Sequence, residues 1–162
     1  MIMIPVKVRE IAYDIMMNPV VLLIDEHENK ALPIWIGPFE AHAIALALQG
    51  FNFDRPQTID LFKEVLDRLD TKLSMVVIND VKDSTYYAQL HMWHHGQEVV
   101  VDARPSDAIA LAIRAEAPIY LTEKVAQHFL SIHDLIGDEQ QDDVVEVLED
   151  NNALSDFKKT LH

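Results

Sequence analysis

The stretch LPIWIGPFEAHAIALALQG, residues 32–50, decides the fold, because its central word is used twice. AIALA stands at Ala43–Ala47 and again at Ala108–Ala112, inside VVVDARPSDAIALAIRAEAPIY, residues 99–120. Each copy follows a strand-like run and a proline, Pro38 in the first and Pro105 in the second. Proline has φ preset for a helix and lacks only an N–H that the first turn leaves unpaired, so both prolines read as helix starts. The helices they open are apolar nearly all round, a pattern that belongs to buried helices. AIALA itself is core packing and carries no chemistry. It anchors two helix N-termini at the ends of strands, where polar groups collect.

Outward from these words the pattern is regular. MIPVKVREIAYDI, residues 3–15, alternates Val6 and Val8 with Lys7 and Arg9 and predicts a strand. PVVLLIDEHENKALPIWIG, residues 19–37, predicts a hairpin around the polar turn Glu26–Asn29. Gly50 suits the left-handed residue that ends the first helix. In NFDRPQTIDLFKEVLDRLD, residues 52–70, Thr58 reads as an N-cap and Asp60 sits in the positive first turn. Ile59, Leu61, Phe62, Val65, Leu66 and Leu69 form an apolar stripe. Strands follow in KLSMVVINDV, TYYAQLHMW, EVVVDA and PIYL, then a short helix from Thr122. The order hairpin, proline, helix thus occurs over about 19–49 and again over about 85–115, a weak internal repeat. The expected fold is α+β: a single compact domain of mixed or antiparallel strands over residues 1–130, built from two pseudo-repeated hairpin–helix units. An acidic C-terminal tail over 131–162 follows.

The totals narrow the function. A chain of 162 residues can bury a core without staples, and the absence of cysteine removes disulfides, thiol catalysis and cysteine-ligated metal. No signal peptide and no membrane-length apolar run is visible, so a cytoplasmic protein without a membrane partner is expected. Net charge is −14. Residues 138–150 hold seven acids and no Lys or Arg, and residues 1–137 hold 19 acids against 11 Lys and Arg. Neither part has the basic balance usual in nucleic-acid binders.

Three strings, ALPIWIGPFEAHAIALAL, RPQTIDL and VVVDARPSDAIALAIRAEAPIYLTEKV, resemble the bifunctional nuclease domain, formerly catalogued as a domain of unknown function. The resemblance runs from about Val6 to Gln127. It implies a compact α+β domain that tends to self-associate, so a homo-oligomer is expected, and hydrolysis of both DNA and RNA for some members. Nucleic acid is the partner it implies. Members commonly carry glutamine where this chain has His42, and the acidic tail lies outside the pattern.

The residues suited to that chemistry are Asp102, Arg104, Ser106 and Asp107 at the start of the second helix, with Glu40 and His42 on the first. Phosphodiester hydrolysis calls for an activated water, often on Mg²⁺ or Mn²⁺, and for charge stabilisation at phosphorus. Carboxylates suit such hard ions, which makes Asp102, Asp107 and Glu40 the candidate metal ligands. Arg104 offers a phosphate clamp, the Ser106 hydroxyl can assist, and His42 can serve as base or ligand. Ordinary capping accounts for Ser106 and Asp107, and ion pairing for Arg104 with Asp102 or Asp107, while a histidine such as His42 on an apolar helix is more often a hydrogen-bonded core residue. Arg55, Thr58 and Asp60 form a third polar group that capping explains. His91, His94 and His95 read as a solvated turn, since i and i+4 on a strand lie about 13 Å apart. Asp80-x-Lys82 is too short a fragment to count as a nuclease signature. Two other readings stay open: a non-catalytic, self-associating binding or regulatory module, and an enzyme for a small anionic ligand held at Arg104.

Overall fold

The doubled word marks a doubled unit. β1 (Met3–Tyr13), β2 (Pro19–Asp25) and β3 (Lys30–Trp35) form an antiparallel meander that feeds α1 (Pro38–Leu48). β4 (Thr71–Lys82), β5 (Thr85–His94) and β6 (Gln97–Ala103) repeat it and feed α3 (Pro105–Ala115). Each unit is one strand longer than the hairpin and helix read from the sequence. α2 (Thr58–Arg68) lies between the two units in the chain, and β7 (Ile119–Thr122), α4 (Glu123–Ala126), β8 (Leu130–Ser131) and α5 (Ile132–Ile136) follow them. The structure, a computed structural model, describes residues 2–136, and most of the expected acidic tail lies outside the described residues.

Among the described residues eight strands join one mixed sheet in the order β6-β5-β4-β7-β1-β2-β3-β8. β7 lies between the two meanders, antiparallel to β1 and parallel to β4. The α+β class and the mixed sheet are as the sequence led us to expect.

The core gathers around α3, which packs against α1, α2, β4 and β5. Ala108 through Ala112 are at most 1% exposed. The alanines let its backbone approach its neighbours while Ile109 and Leu111 fill the space between. α1 has the same composition but a different setting. Ala41, Ile44 and Leu46 are buried, whereas Leu48 is exposed and Phe39 is 87% exposed. All-round burial holds for α3, which has helices for neighbours in both α1 and α2, and fails for the more peripheral α1.

Two details of α2 depart from the sequence reading. Its N-cap is Gln57, with Thr58 the first helical residue, and Asp60 reaches back to accept the Gln57 N–H at 3.0 Å. Of the apolar stripe only Leu66 is buried and Ile59 half-buried; Leu61, Phe62, Val65 and Leu69 are exposed. α2 therefore meets the body along one edge of its stripe.

Asp80, on β4, is an ion-pair centre. It binds Lys124 of α4 and lies 3.3 Å from Lys82. The hydrogen bond from Lys124 is the main cause that holds its carboxyl down at about 2, helped by the Val81 N–H and Lys82. The unfolded chain keeps an ordinary aspartate value near 3.9. The folded group therefore contributes stability above that value and loses it as pH falls towards about 2. Asp80→Asn is expected to flatten the acid limb of stability across that window, read from urea midpoints at successive pH values; an unchanged limb would show that the pair adds nothing.

Candidate active site at two helix starts

α1 and α3 begin alike. Each has proline in its first turn, no side-chain cap, and an acid at the third helical position: Glu40 in α1, Asp107 in α3. Gly37 and Arg104 are the N-caps, both with extended backbone. With proline first and no cap, the N–H groups of Phe39 and Glu40, and of Ser106 and Asp107, lack intrahelical partners.

Arg104 ties the two starts together. Its Nε donates to Asp107 Oδ2 at 2.7 Å, its Nη2 to Asp107 Oδ1 at 3.0 Å, and its Nη1 to Glu40 Oε1 at 2.9 Å. Asp107 first, then Glu40, pushes the guanidinium still further into its charged form. The Arg104 side chain stays 64% exposed, so its remaining N–H groups face solvent.

Gly37 makes room for this arrangement. A Cβ there would stand 2.1 Å from Glu40 Oε2. The Glu40 carboxylate folds back over its own helix start, with one oxygen on Arg104 and the other against the glycine.

Gly37, Glu40, Arg104, Pro105 and Ser106 are among the residues that line a cleft of about 850 Å³. β3 and the β4–β5 turn supply other parts of its wall. Three of the candidate residues named from sequence, Glu40, Arg104 and Ser106, thus face one space, and Asp107 is bonded to it through Arg104.

Asp102 and His42 are not brought there. Asp102 is exposed on the edge strand β6 and is absent from the cleft lining. Its neighbour Ala103 packs against the core, and strand alternation sends Asp102 to the other face. His42 is two residues beyond Glu40, about 200° around the helix. It is partly buried, and burial lowers its pKa.

The described residues do not make a metal centre. Among the described residues no group of three or more His, Cys, Asp or Glu side chains is placed to hold an ion. Glu40 and Asp107 both engage Arg104, whose positive charge opposes a divalent cation between them. Two of the histidines near the β5–β6 turn, His91 and His94, are likewise occupied. His91 Nδ1 is 3.0 Å from Glu98, and His94 Nδ1 is 2.8 Å from Thr71 Oγ1. His91 is also less solvated than the sequence reading allowed, its side chain being 15% exposed.

The model of the bifunctional nuclease domain matches residues 21–131. The chain belongs to this family. Its relatives include "Uncharacterized protein Rv1829" of Mycobacterium tuberculosis, 40% identical over 151 residues, which cover 88% of this chain and 90% of the relative. "Bifunctional nuclease 1" of Oryza sativa subsp. japonica is 27% identical over 112 residues, 67% of this chain and 34% of the relative. "Bifunctional nuclease 2" of Arabidopsis thaliana is 26% identical over 112 residues, with the same two shares. This bifunctional nuclease domain therefore spans about a third of the plant proteins it matches. Among the described residues no helix is long and apolar enough to cross a membrane.

Proposed function

We propose that this protein is a nuclease that hydrolyses phosphodiester bonds of DNA and RNA with little sequence preference, at the helix-start end of the cleft. The observation that supports it best is Arg104 bridging Glu40 and Asp107 where two uncapped helix N-termini line one space. The local charge decides whether a phosphate is tolerated there. One arginine and two carboxylates sum to −1, and each helix start offers roughly half a positive charge, so the site is near neutral. A phosphodiester is then held by directed N–H donors and the remaining guanidinium N–H groups, not by a strong positive field.

The chemistry divides among these groups. Glu40 takes the proton of an attacking water as its oxygen bonds to phosphorus. Arg104 and the helix N–H donors stabilise the charge that builds on the non-bridging oxygens, and the P–O bond to the leaving strand breaks as its oxygen takes a proton from solvent. Ser106 lines the same wall and offers its hydroxyl to the phosphate. A divalent ion enters this reading only as a companion of the substrate phosphates.

Glu40→Gln and Gly37→Ala test the base. Gly37 has φ −76°, which alanine adopts without strain, so the added methyl displaces only the Glu40 carboxylate. Both variants are expected to keep stability within about 1 kcal/mol, since the lost pair is a partly exposed one. Both should lose cleavage by about 10²-fold or more. Initial rates on single-stranded DNA and on RNA, each in Mg²⁺, Mn²⁺ and EDTA, read the effect. Parental rates for both variants in all three conditions would remove Glu40 from the chemistry.

A second reading has its own observation. Among the described residues β6 is a sheet edge whose Val99, Val100 and Val101 are exposed, an arrangement that invites pairing with another chain. On this reading the protein is a self-associating binding module and Arg104 is a latch between helices. Sedimentation as a stable oligomer, together with no turnover by the parent protein, would favour it over the nuclease.

A further inference from the structure

The nuclease chemistry leaves the other part of the cleft without a task. Trp35 lines it with its side chain mostly in water, the residue being 58% exposed. The ring is nonetheless held in place: its Nε1 donates to Asp14 Oδ2 at 3.0 Å. Asp14 is itself braced by the Met16 and Asn18 N–H groups, both 2.9 Å from Oδ1, and by the Asn18 amide at 3.2 Å. Tyr86 and His128 also line the cleft, with ring centroids 6.3 Å apart in an edge-to-face pair. Pro33 and Leu130 add apolar wall. The same cleft thus carries aromatic surface and the Arg104 guanidinium. Its volume of about 850 Å³ falls within the roughly 300–1,000 Å³ of small-ligand sites.

We propose that Trp35 stacks an unpaired nucleobase of a single strand whose phosphate sits at Arg104. The proposal deepens the nuclease reading and rests on it for the place of the phosphate. Two physical points select a single strand. Bases in a duplex already have both faces stacked, so they cannot lie on the indole without being flipped out. The body of the chain is also acidic, with 19 acids against 11 Lys and Arg over residues 1–137, so counterion release contributes little and stacking must carry the affinity. With one arginine at the phosphate, the salt slope for a single strand should be shallow, near −0.7.

The chain has two tryptophans, so Trp93→Phe leaves Trp35 as the only indole reporter. In a Glu40→Gln, Trp93→Phe protein, which holds the strand uncut, indole fluorescence is titrated with oligo(dT), with an abasic strand of equal length, and with a blunt duplex. Saturable quenching by oligo(dT) alone is expected. Trp35→Ala should weaken binding of a labelled strand by roughly 10-fold or more, and Trp35→Phe should restore most of it. Urea midpoints check that both variants fold. Equal binding of the abasic strand or the duplex, or no loss in Trp35→Ala, overturns the inference. The two readings fail separately. If the parent cuts strands that bind without regard to their bases, the stacking site falls and the nuclease stands. Base-dependent quenching with no cleavage by the parent leaves a binding cleft and removes the nuclease.

Discussion

Arg104→Ala is expected to cut phosphodiester cleavage by about 10²–10³-fold, the usual cost of one lost donor to a transition-state oxyanion, while the fold stands. Two effects act together. The variant loses the guanidinium edge that faces solvent in the cleft. It also leaves Glu40 and Asp107 at adjoining helix starts without their shared counter-charge, so the local sum moves from −1 to −2 and repels the phosphate. Stability should change by about 1 kcal/mol or less, because the arginine side chain is 64% exposed and such pairs are well screened. Arg104→Lys should resemble alanine more than arginine. A single ammonium cannot replace the three donors that Nε, Nη1 and Nη2 place on two carboxylates and still offer N–H groups to the cleft. Initial rates on single-stranded DNA and RNA, with a urea midpoint for each variant, give both readings. A parental rate in Arg104→Ala would leave the residue as a latch between helices.

The fold was more legible than the site, and the difference comes down to two residues of register. Pro38 and Pro105 each mark a helix start, because proline is tolerated there and excluded further in. The identical AIALA words mislead by comparison. Matching them sets His42 opposite Asp107, whereas matching the helix starts sets Glu40 opposite Asp107. Alanine-rich packing tolerates that slip, but two residues are about 200° of helix and carry a side chain to the opposite face. Asp102 misleads differently. It is near Arg104 in sequence, and alternation along β6 turns it away from the helix-covered side. Trp35 and Asp14 could not be paired from spacing. They are 21 residues apart and meet only because the β1–β2 turn folds over the end of β3. The apolar stripe of α2 has a regular helical period yet is largely exposed, since periodicity gives the face of a helix and says nothing of what covers it.

Arg114→Ala should be the costliest substitution of a charged residue in the described body, at about 2–4 kcal/mol. Arg114, in the last turn of α3, pairs through Nη1 with Asp60 Oδ1 at 2.6 Å. Its side chain is only 9% exposed, against 26% for Asp60. Asp60 holds the first turn of α2 through the Gln57 N–H, so the pair fastens the start of α2 to the end of α3. Limited apolar contact assists it, because only Leu66 of the α2 stripe is buried and Ile59 is half-buried against the core. Alanine removes a buried stem and leaves Asp60 without its charge partner in a partly dry place. The quarter of Asp60 open to water puts the expected cost below that of a fully buried pair. Among the described residues Arg114 Nε is also buried without a hydrogen-bond partner, so the pair bears one unmet donor there. Arg114→Met, which keeps the stem and removes that donor, should therefore be milder than alanine. Pairing it with Asp60→Asn, which removes the stranded charge and can still accept the Gln57 N–H, should recover most of the loss. Urea midpoints of the four proteins form the comparison. If Arg114→Ala unfolds at the parent's midpoint, α2 is held to the body by its few apolar contacts and the ion pair is incidental.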